Sequence, residues 1–244
     1  MTPDRPRTAI VTGGTAGIGL AIAKSLLRRG HRTFVCGRDK QRLDNALRQL
    51  WSIDEDRVGG TVCDVRKLSS VKSMVDIAKD SFGQIDTLIN SAGIAFVTQF
   101  PELSPKQWRD IIDTNLTGVY NCCHAIVPLI KDAGGGDIVN LGSRSGRYAF
   151  SGGVGYNTTK FGLQGFTEAI FLDLQSDGIR VSLVAPGTVA TELSGRAPES
   201  WQLDPADVAK VVADLLEADP RACLNWVEIR PTYRPETQHR IHSE

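Results

Sequence analysis

Three residues define the chemistry open to this 244-residue chain: Ser143, Tyr156 and Lys160. Tyr156 and Lys160 are four apart, so on a helix they share one face. An unperturbed tyrosine phenol has a pKa of about 10, too high for efficient proton transfer near neutrality. A neighbouring ammonium favours the phenolate, so the pair predicts a Tyr156 whose pKa Lys160 lowers. Such a phenol acts as general acid in one direction and general base in the other. Ser143 adds a hydroxyl that can hydrogen-bond a substrate oxygen where charge develops. Each residue also has a structural alternative. In many helices a Tyr-x-x-x-Lys pair only packs its ring and sends its lysine to water, and a serine can simply end a strand.

A second group of residues has the pattern of a phosphate site. Thr12-Gly13-Gly14-Thr15-Ala16-Gly17-Ile18-Gly19 follows a β-branched run and opens a helical pattern. In that strand-loop-helix context glycines let a pyrophosphate approach the backbone N–H groups at a helix N-terminus. Gly13, Thr15, Gly17, Ile18 and Gly19 are therefore candidate cofactor contacts. Beyond the next β-branched run stand Gly37, Arg38 and Asp39. A cation there accommodates the 2′-phosphate of NADP, whereas an acid takes the ribose hydroxyl of NAD. Asp39 precedes the amphipathic stretch 40–50 and is placed as its N-cap. Arg38 is then the reader of the adenosine end, with an ordinary surface arginine as its alternative, and NADP(H) is expected over NAD(H).

These residues need elements to position them. β-branched runs at 8–12, 33–36, 58–62, 87–89, 138–141, 181–184 and 226–229 alternate with amphipathic stretches such as 19–29. The rhythm predicts an α/β fold: a single-domain Rossmann fold over residues 1–232, with a doubly wound parallel β-sheet and helices on both faces. Gly134, Gly135 and Gly136 suit a helix-to-strand turn. Residues 233–244 are polar and aperiodic and read as a tail or an arm at a subunit contact. In open sheets of this kind ligands bind at the carboxyl edge, where Ser143 and Tyr156 would both lie.

At this point the sequence resembles the short-chain dehydrogenase/reductase family, over nearly its whole length. Gly13, Gly17 and Gly19 match the family's glycine loop, and Ser143, Tyr156 and Lys160 its catalytic set. Asp64 and Val65 look like its adenine-contacting pair. Asn90-Ser91-Ala92-Gly93 looks like its Asn-Asn-Ala-Gly motif, with Ser91 as a departure. Asn115 matches the helix asparagine of its proton relay, and Pro186-Gly187-Thr188-Val189-Ala190-Thr191 its nicotinamide loop. The resemblance implies that Lys160 also holds the nicotinamide ribose and that Asn115 orders a water. A buried structural asparagine is the alternative for Asn115. Asn90, Ala92, Gly93, Pro186, Gly187, Val189 and Thr191 join the cofactor list on the same footing.

The resemblance implies an NADP(H)-dependent oxidoreductase, a carbonyl reductase or alcohol dehydrogenase acting on a small molecule. A redox-sensing NADP(H) binder and an epimerase or dehydratase using the same pair are alternatives. Substrate choice should come from segments 94–100, 144–155 and 192–203. Phe96, Tyr148 and Phe150 offer an apolar wall there, and Arg144 and Arg147 either solvated charges or contacts to a substrate anion. The lid at 192–203, with Arg196 and Trp201, is short, implying an open pocket or one completed by another subunit. The ending Val227-Glu228-Ile229-Arg230-Pro231-Thr232 lacks the family's common Asp-Gly-Gly.

Bulk properties narrow the partners. Lys plus Arg and Asp plus Glu are 28 each, so no net field draws nucleic acid or an anionic membrane. The N-terminus lacks an apolar run of signal or spanning length, and a cytoplasmic protein is expected. The five cysteines form no Cys-x-x-Cys pair; they read as small apolar core residues, and no metal site is expected. A homodimer or homotetramer is expected, with 162–174 compatible with an interface and Leu163, Phe166, Ile170 and Phe171 equally good core residues.

Overall fold

The structure, a computed structural model, describes residues 6–195, 197–233 and 235. Seven parallel strands form one sheet in the order β3-β2-β1-β4-β5-β6-β7. They are β1 (Thr8–Thr12), β2 (Arg32–Gly37), β3 (Val58–Val62), β4 (Thr87–Asn90), β5 (Gly136–Leu141), β6 (Ile179–Pro186) and β7 (Trp226–Ile229). The helices are α1 (Gly17–Arg28), α2 (Lys40–Trp51), α3 (Leu68–Phe82), α4 (Pro105–Ile112), α5 (Gly118–Asp132), α6 (Val154–Leu174) and α7 (Pro205–Leu216). Strand order reverses between β1 and β4, which opens a crevice at their carboxyl ends.

The period of two along each strand builds two cores. Ile10, Phe34, Leu88, Ile138 and Val181 face α3, α5 and α6. Their neighbours Val11, Val35, Ile89, Val139 and Val184 face α1, α2 and α7. Strands buried on both faces read as continuous β-branched runs, and β1, β4, β5 and β6 are buried throughout. The expected doubly wound sheet is therefore present, with helices on both faces. Gly134 and Gly135 take φ of 83° and 107°, a left-handed turn that only glycine adopts without strain, and return the chain from α5 to β5.

The sequence does not announce the π-helical turn Asp113–Thr117 between α4 and α5. Gly118 lets it pack closely, since a Cβ there would stand 2.7 Å from Val65 Cγ2. The cysteines are more varied than a uniform apolar reading. Cys36, Cys63, Cys122 and Cys123 are buried, but Cys223 is half-buried and donates its thiol to the Val181 carbonyl. Cys36 and Cys63 are close enough to influence each other's ionisation, which raises Cys36 and lowers Cys63. Leu163 is core, with Phe166, Ile170 and Phe171 packed partly against it. Among the described residues no helix is long and apolar enough to cross a membrane, and no His/Cys/Asp/Glu group is arranged to hold a metal. Arg196 and nearly all of the expected tail lie outside the described residues.

Candidate active site

The phosphate end is built from backbone. α1 begins at Gly17 behind Ala16, and no side chain caps it. α2, α4 and α7 by contrast are capped by Asp39, Ser104 and Asp204. The first N–H groups of α1, like those of α3, α5 and α6, take no capping side chain, and the positive end of the helix dipole stands behind them. Side chains are excluded by contact. A Cβ on Gly19 would stand 2.4 Å from the Gly13 carbonyl oxygen, and one on Gly13, at φ 65°, 2.8 Å from Ala92 Cα. Thr12 Oγ1 accepts from the N–H groups of Ser91 and Ala92 at 3.1 Å, holding the loop after β4 against the glycine turn.

The chemical end grows from β5 and α6. Ser143 ends the segment after β5 and accepts from the Ser145 N–H at 3.1 Å, and its hydroxyl is near enough to the Tyr156 phenol to influence its ionisation. Tyr156 sits in the first turns of α6, half-buried, with Lys160 one turn on and its ammonium 5.5 Å from the phenol ring centre. Lys160 is buried and donates from Nζ to the Leu141 carbonyl at 2.7 Å. Here the expected electrostatics is corrected. Burial holds the Tyr156 phenol above its ordinary value, with the Ser143 hydroxyl pulling it part of the way back. Burial also brings the Lys160 ammonium down to about 8. Desolvation penalises the charged form of each residue and is the largest influence on both.

Asn115 lies in the π turn with its amide engaged. Oδ1 accepts from the Ile94 N–H at 2.9 Å; Nδ2 donates to the Ile94 carbonyl at 2.9 Å and to Thr159 Oγ1 at 3.1 Å. Thr159 in turn donates to the Tyr156 carbonyl. Asn115 therefore braces the first turn of α6 against the loop after β4. This is the structural alternative, and it bears directly on where Tyr156 sits.

The two ends share one cleft of about 1050 Å³. Of the sequence-derived residues it is lined by Gly13, Thr15, Gly17, Ile18, Gly19, Arg38, Val65, Ala92, Gly93, Tyr156, Lys160, Pro186 and Thr191. Others are placed differently. Asn90 is buried beneath, donating to Asn140 Oδ1 at 2.9 Å. Asp64 lines an adjoining hollow, where the Arg66 guanidinium grips it and holds its carboxyl below the usual range. Gly187 donates to the Ile229 carbonyl, and Val189 forms an isolated bridge with Leu203 that pins the base of the lid. Asp39 is the N-cap of α2, accepting from the Arg42 N–H at 2.9 Å.

Arg42 is the main residue that sequence reasoning missed. It lines the cleft beside Arg38, and Glu192 of the lid pairs with it at 3.1 Å. Its signal was present, because it stands four residues after Arg38 at the start of α2, but a surface arginine on an amphipathic helix has no mark of its own. Cys36, Cys63 and Leu193 also line the cleft. Of the aromatic wall, Phe150 stands 6.5 Å from the Tyr156 ring, Tyr148 is exposed, and Phe96 borders a separate hollow.

Comparison with known proteins gives this geometry its context. A 3alpha-hydroxysteroid dehydrogenase of Mediterraneibacter gnavus is 36% identical over 195 residues, 80% of this chain and 78% of the relative. Sulfoacetaldehyde reductase 2 of Chromohalobacter salexigens is 32% identical over 237 residues, 91% of this chain and 93% of the relative. An alcohol dehydrogenase from the archaeon Thermococcus sibiricus, solved with 5-hydroxy-NADP, superposes with a TM-score of 0.87 at 26% identity, covering 96% of this chain and all of that one. The short chain dehydrogenase model matches residues 7–201, and with the sheet, and the glycine turn, Tyr156 and Lys160 on one cleft, the chain belongs to the short-chain dehydrogenase family of oxidoreductases.

Proposed function

We propose that this oxidoreductase interconverts a small carbonyl compound and its alcohol using NADP(H), with Tyr156 as the proton-transferring residue. The observation that carries the reading is the cleft that joins the glycine turn, whose helix has no side-chain cap, to Tyr156 and Lys160, with Gly142 just before Ser143 also on its wall. The fit of a dinucleotide is supported by the glycine cradle, in which a Cβ at Gly13 or Gly19 would occupy the space. It is supported also by the N–H groups at the start of α1. Arg38 and Arg42 would meet the 2′-phosphate; Asp39 lines the same cleft, with its Oδ1 engaged in capping α2. Gly93, Pro186, Thr191 and Lys160 would hold the nicotinamide end. When bound, the nicotinamide supplies the hydride.

The chain's own residues handle the proton. Burial keeps the Tyr156 phenol protonated through neutral pH, which suits donation to a carbonyl oxygen during reduction. Ser143 stands near the same hydroxyl and would share the developing charge on that oxygen. Lys160, charged below about pH 8, supports the phenolate once the proton has left. Asn115 fixes the α6 turn that carries Tyr156, and its Oδ1 keeps one acceptor position for an ordered water. A redox sensor without turnover has no use for this set, which favours the enzyme over the binder. A homo-oligomer is retained as part of the proposal, with exposed Phe161 and Leu172 on α6 as candidate contact residues.

The test is to follow loss of reduced cofactor with NADPH or NADH and a panel of aldehydes, ketones and ketoesters. NADPH should be consumed in preference to NADH. Tyr156→Phe should lower kcat by about 10²- to 10⁴-fold while NADPH binding, read by fluorescence, changes little. A Tyr156→Phe enzyme with full turnover would remove Tyr156 from the chemistry.

A further inference from the structure

The rim beside Ser143 carries more positive charge than its neighbours balance. Arg144 follows Ser143 directly, and its guanidinium lies 4.9 Å from the centre of the Tyr148 ring. Arg230, just past β7, lies 5.8 Å from the same ring. The Arg230 backbone runs beside the loop after β6: a Cβ on Gly187 would stand 3.5 Å from Arg230 Cα. Segments that follow β5, β6 and β7 thus meet around Tyr148. The segment after β5 also carries Ser143, Pro186 at the end of β6 lines the cleft, and the Phe150 ring two residues beyond Tyr148 stands 6.5 Å from the Tyr156 ring. The rim therefore borders the reacting end of the cleft.

One carboxylate serves the whole group. Glu228 pairs with Arg230 and faces Arg147 at 4.0 Å, while Arg147 lies over Trp226. Among the described residues no carboxylate lies within ion-pair distance of Arg144. Two guanidiniums on one ring repel, and stacking offsets that only in part. The shared ring holds both guanidiniums near one another, and a guanidinium N–H edge can grip a planar or tetrahedral anion in two-point fashion.

We infer that Arg144 and Arg230 form a subsite for the anionic end of a bifunctional substrate, an aldehyde or ketone that also carries a carboxylate, sulfonate or phosphate. This rests on the carbonyl-reducing function proposed above. Arg144 is the next residue after Ser143, with adjacent Cα atoms about 3.8 Å apart. The two side chains that would hold the ends of the substrate therefore leave the backbone at neighbouring positions, which favours a short substrate. Arg144 is a specificity residue that reads the end of the substrate that does not react.

The experiment compares kcat/KM with NADPH for succinic semialdehyde and its methyl ester, which differ in charge and little in shape. The wild-type enzyme should prefer the acid by about tenfold or more, mostly through KM, as loss of a charge-assisted contact would imply. In Arg144→Met the acid-to-ester ratio should collapse toward one. Arg144→Lys should restore part of it, and Arg230→Met should show a smaller loss. Equal rates for acid and ester in the wild type, or a preference that survives in the Arg144→Met/Arg230→Met double variant, would overturn the subsite. If neither compound oxidises NADPH, calorimetry with the unreactive anion butanoate decides the subsite, and the carbonyl-reducing reading falls only if the whole carbonyl panel fails as well. Binding by the wild type that Arg144→Met removes supports it, and absence of binding by the wild type overturns it.

Discussion

Lys160 shows how a residue placed for chemistry acts against stability. Its pKa, lowered from 10.5 to about 8 by burial, corresponds to a cost on the order of 3 kcal/mol at pH 7. Because the folded value is depressed, the unfolded chain holds the proton more tightly between about pH 8 and 10.5. Stability therefore rises with pH across that window and is lost as pH falls through it. Lys160→Met should be about 1–3 kcal/mol more stable than the wild type in urea unfolding at pH 7, the lower figure allowing for the Leu141 carbonyl that loses its donor. That advantage should shrink by pH 10, and turnover should be lost. A variant that is less stable at pH 7 would mean that Lys160 is better solvated than its position implies. The identity of this residue was legible from its spacing to Tyr156. The electrostatic balance was not, because charge attraction can be read from residue types, whereas desolvation depends on what is packed around them.

The crossing from β2 to α2 carries the adenosine specificity at the scale of elements. Asp39 was legible as a cap because an acid before an amphipathic run has that local role, and it accepts from the Arg42 N–H as such a cap should. Capping starts α2 one residue after the strand-end motif and so brings Arg42 into line with Arg38 at the cleft. Arg38→Ala and Arg42→Ala should each weaken NADPH binding by about tenfold in a fluorescence titration and leave NADH nearly unchanged. Equal losses for the two cofactors would show that neither arginine meets the 2′-phosphate. Strand positions were legible almost to the residue, since a buried parallel strand is a short β-branched run. The π turn at Asp113–Thr117 was not, because nothing in Asp-Thr-Asn-Leu-Thr breaks a helical pattern. It is nevertheless the turn that carries Asn115 toward α6.

At the scale of the whole molecule, the edge of the sheet opposite the cleft is held by buried ions. Arg180 at the start of β6 donates to Asp137 Oδ1 at 2.7 Å, to the carbonyl of Leu216 at the end of α7, and to those of Ala218, Asp219 and Ala222 just beyond it. Arg7 pairs with the same carboxylate. Arg180→Met should cost about 3–5 kcal/mol, because it leaves Asp137 short of a partner and several carbonyls without donors. Turnover at 25 °C should stay within about twofold of the wild type, since the network lies across the sheet from Tyr156. An Arg180→Met protein of unchanged stability would show that Arg7 and the loop after α7 compensate. None of these partnerships was legible, since Arg7, Asp137 and Arg180 are far apart in the chain. What the sequence determined by itself was whatever is local: the kind and order of the elements, from periods of two and 3.6, and the chemical set, from the spacing of Tyr156 and Lys160 and the strand that delivers Ser143. The tertiary structure alone decided the strand order that brings the glycine turn and Tyr156 onto one cleft, the recruitment of Arg42, and the placing of Arg144 and Arg230 on one ring. It also decided which way burial shifts Tyr156 and Lys160, because packing, dielectric and long-range contact exist only once the chain has folded.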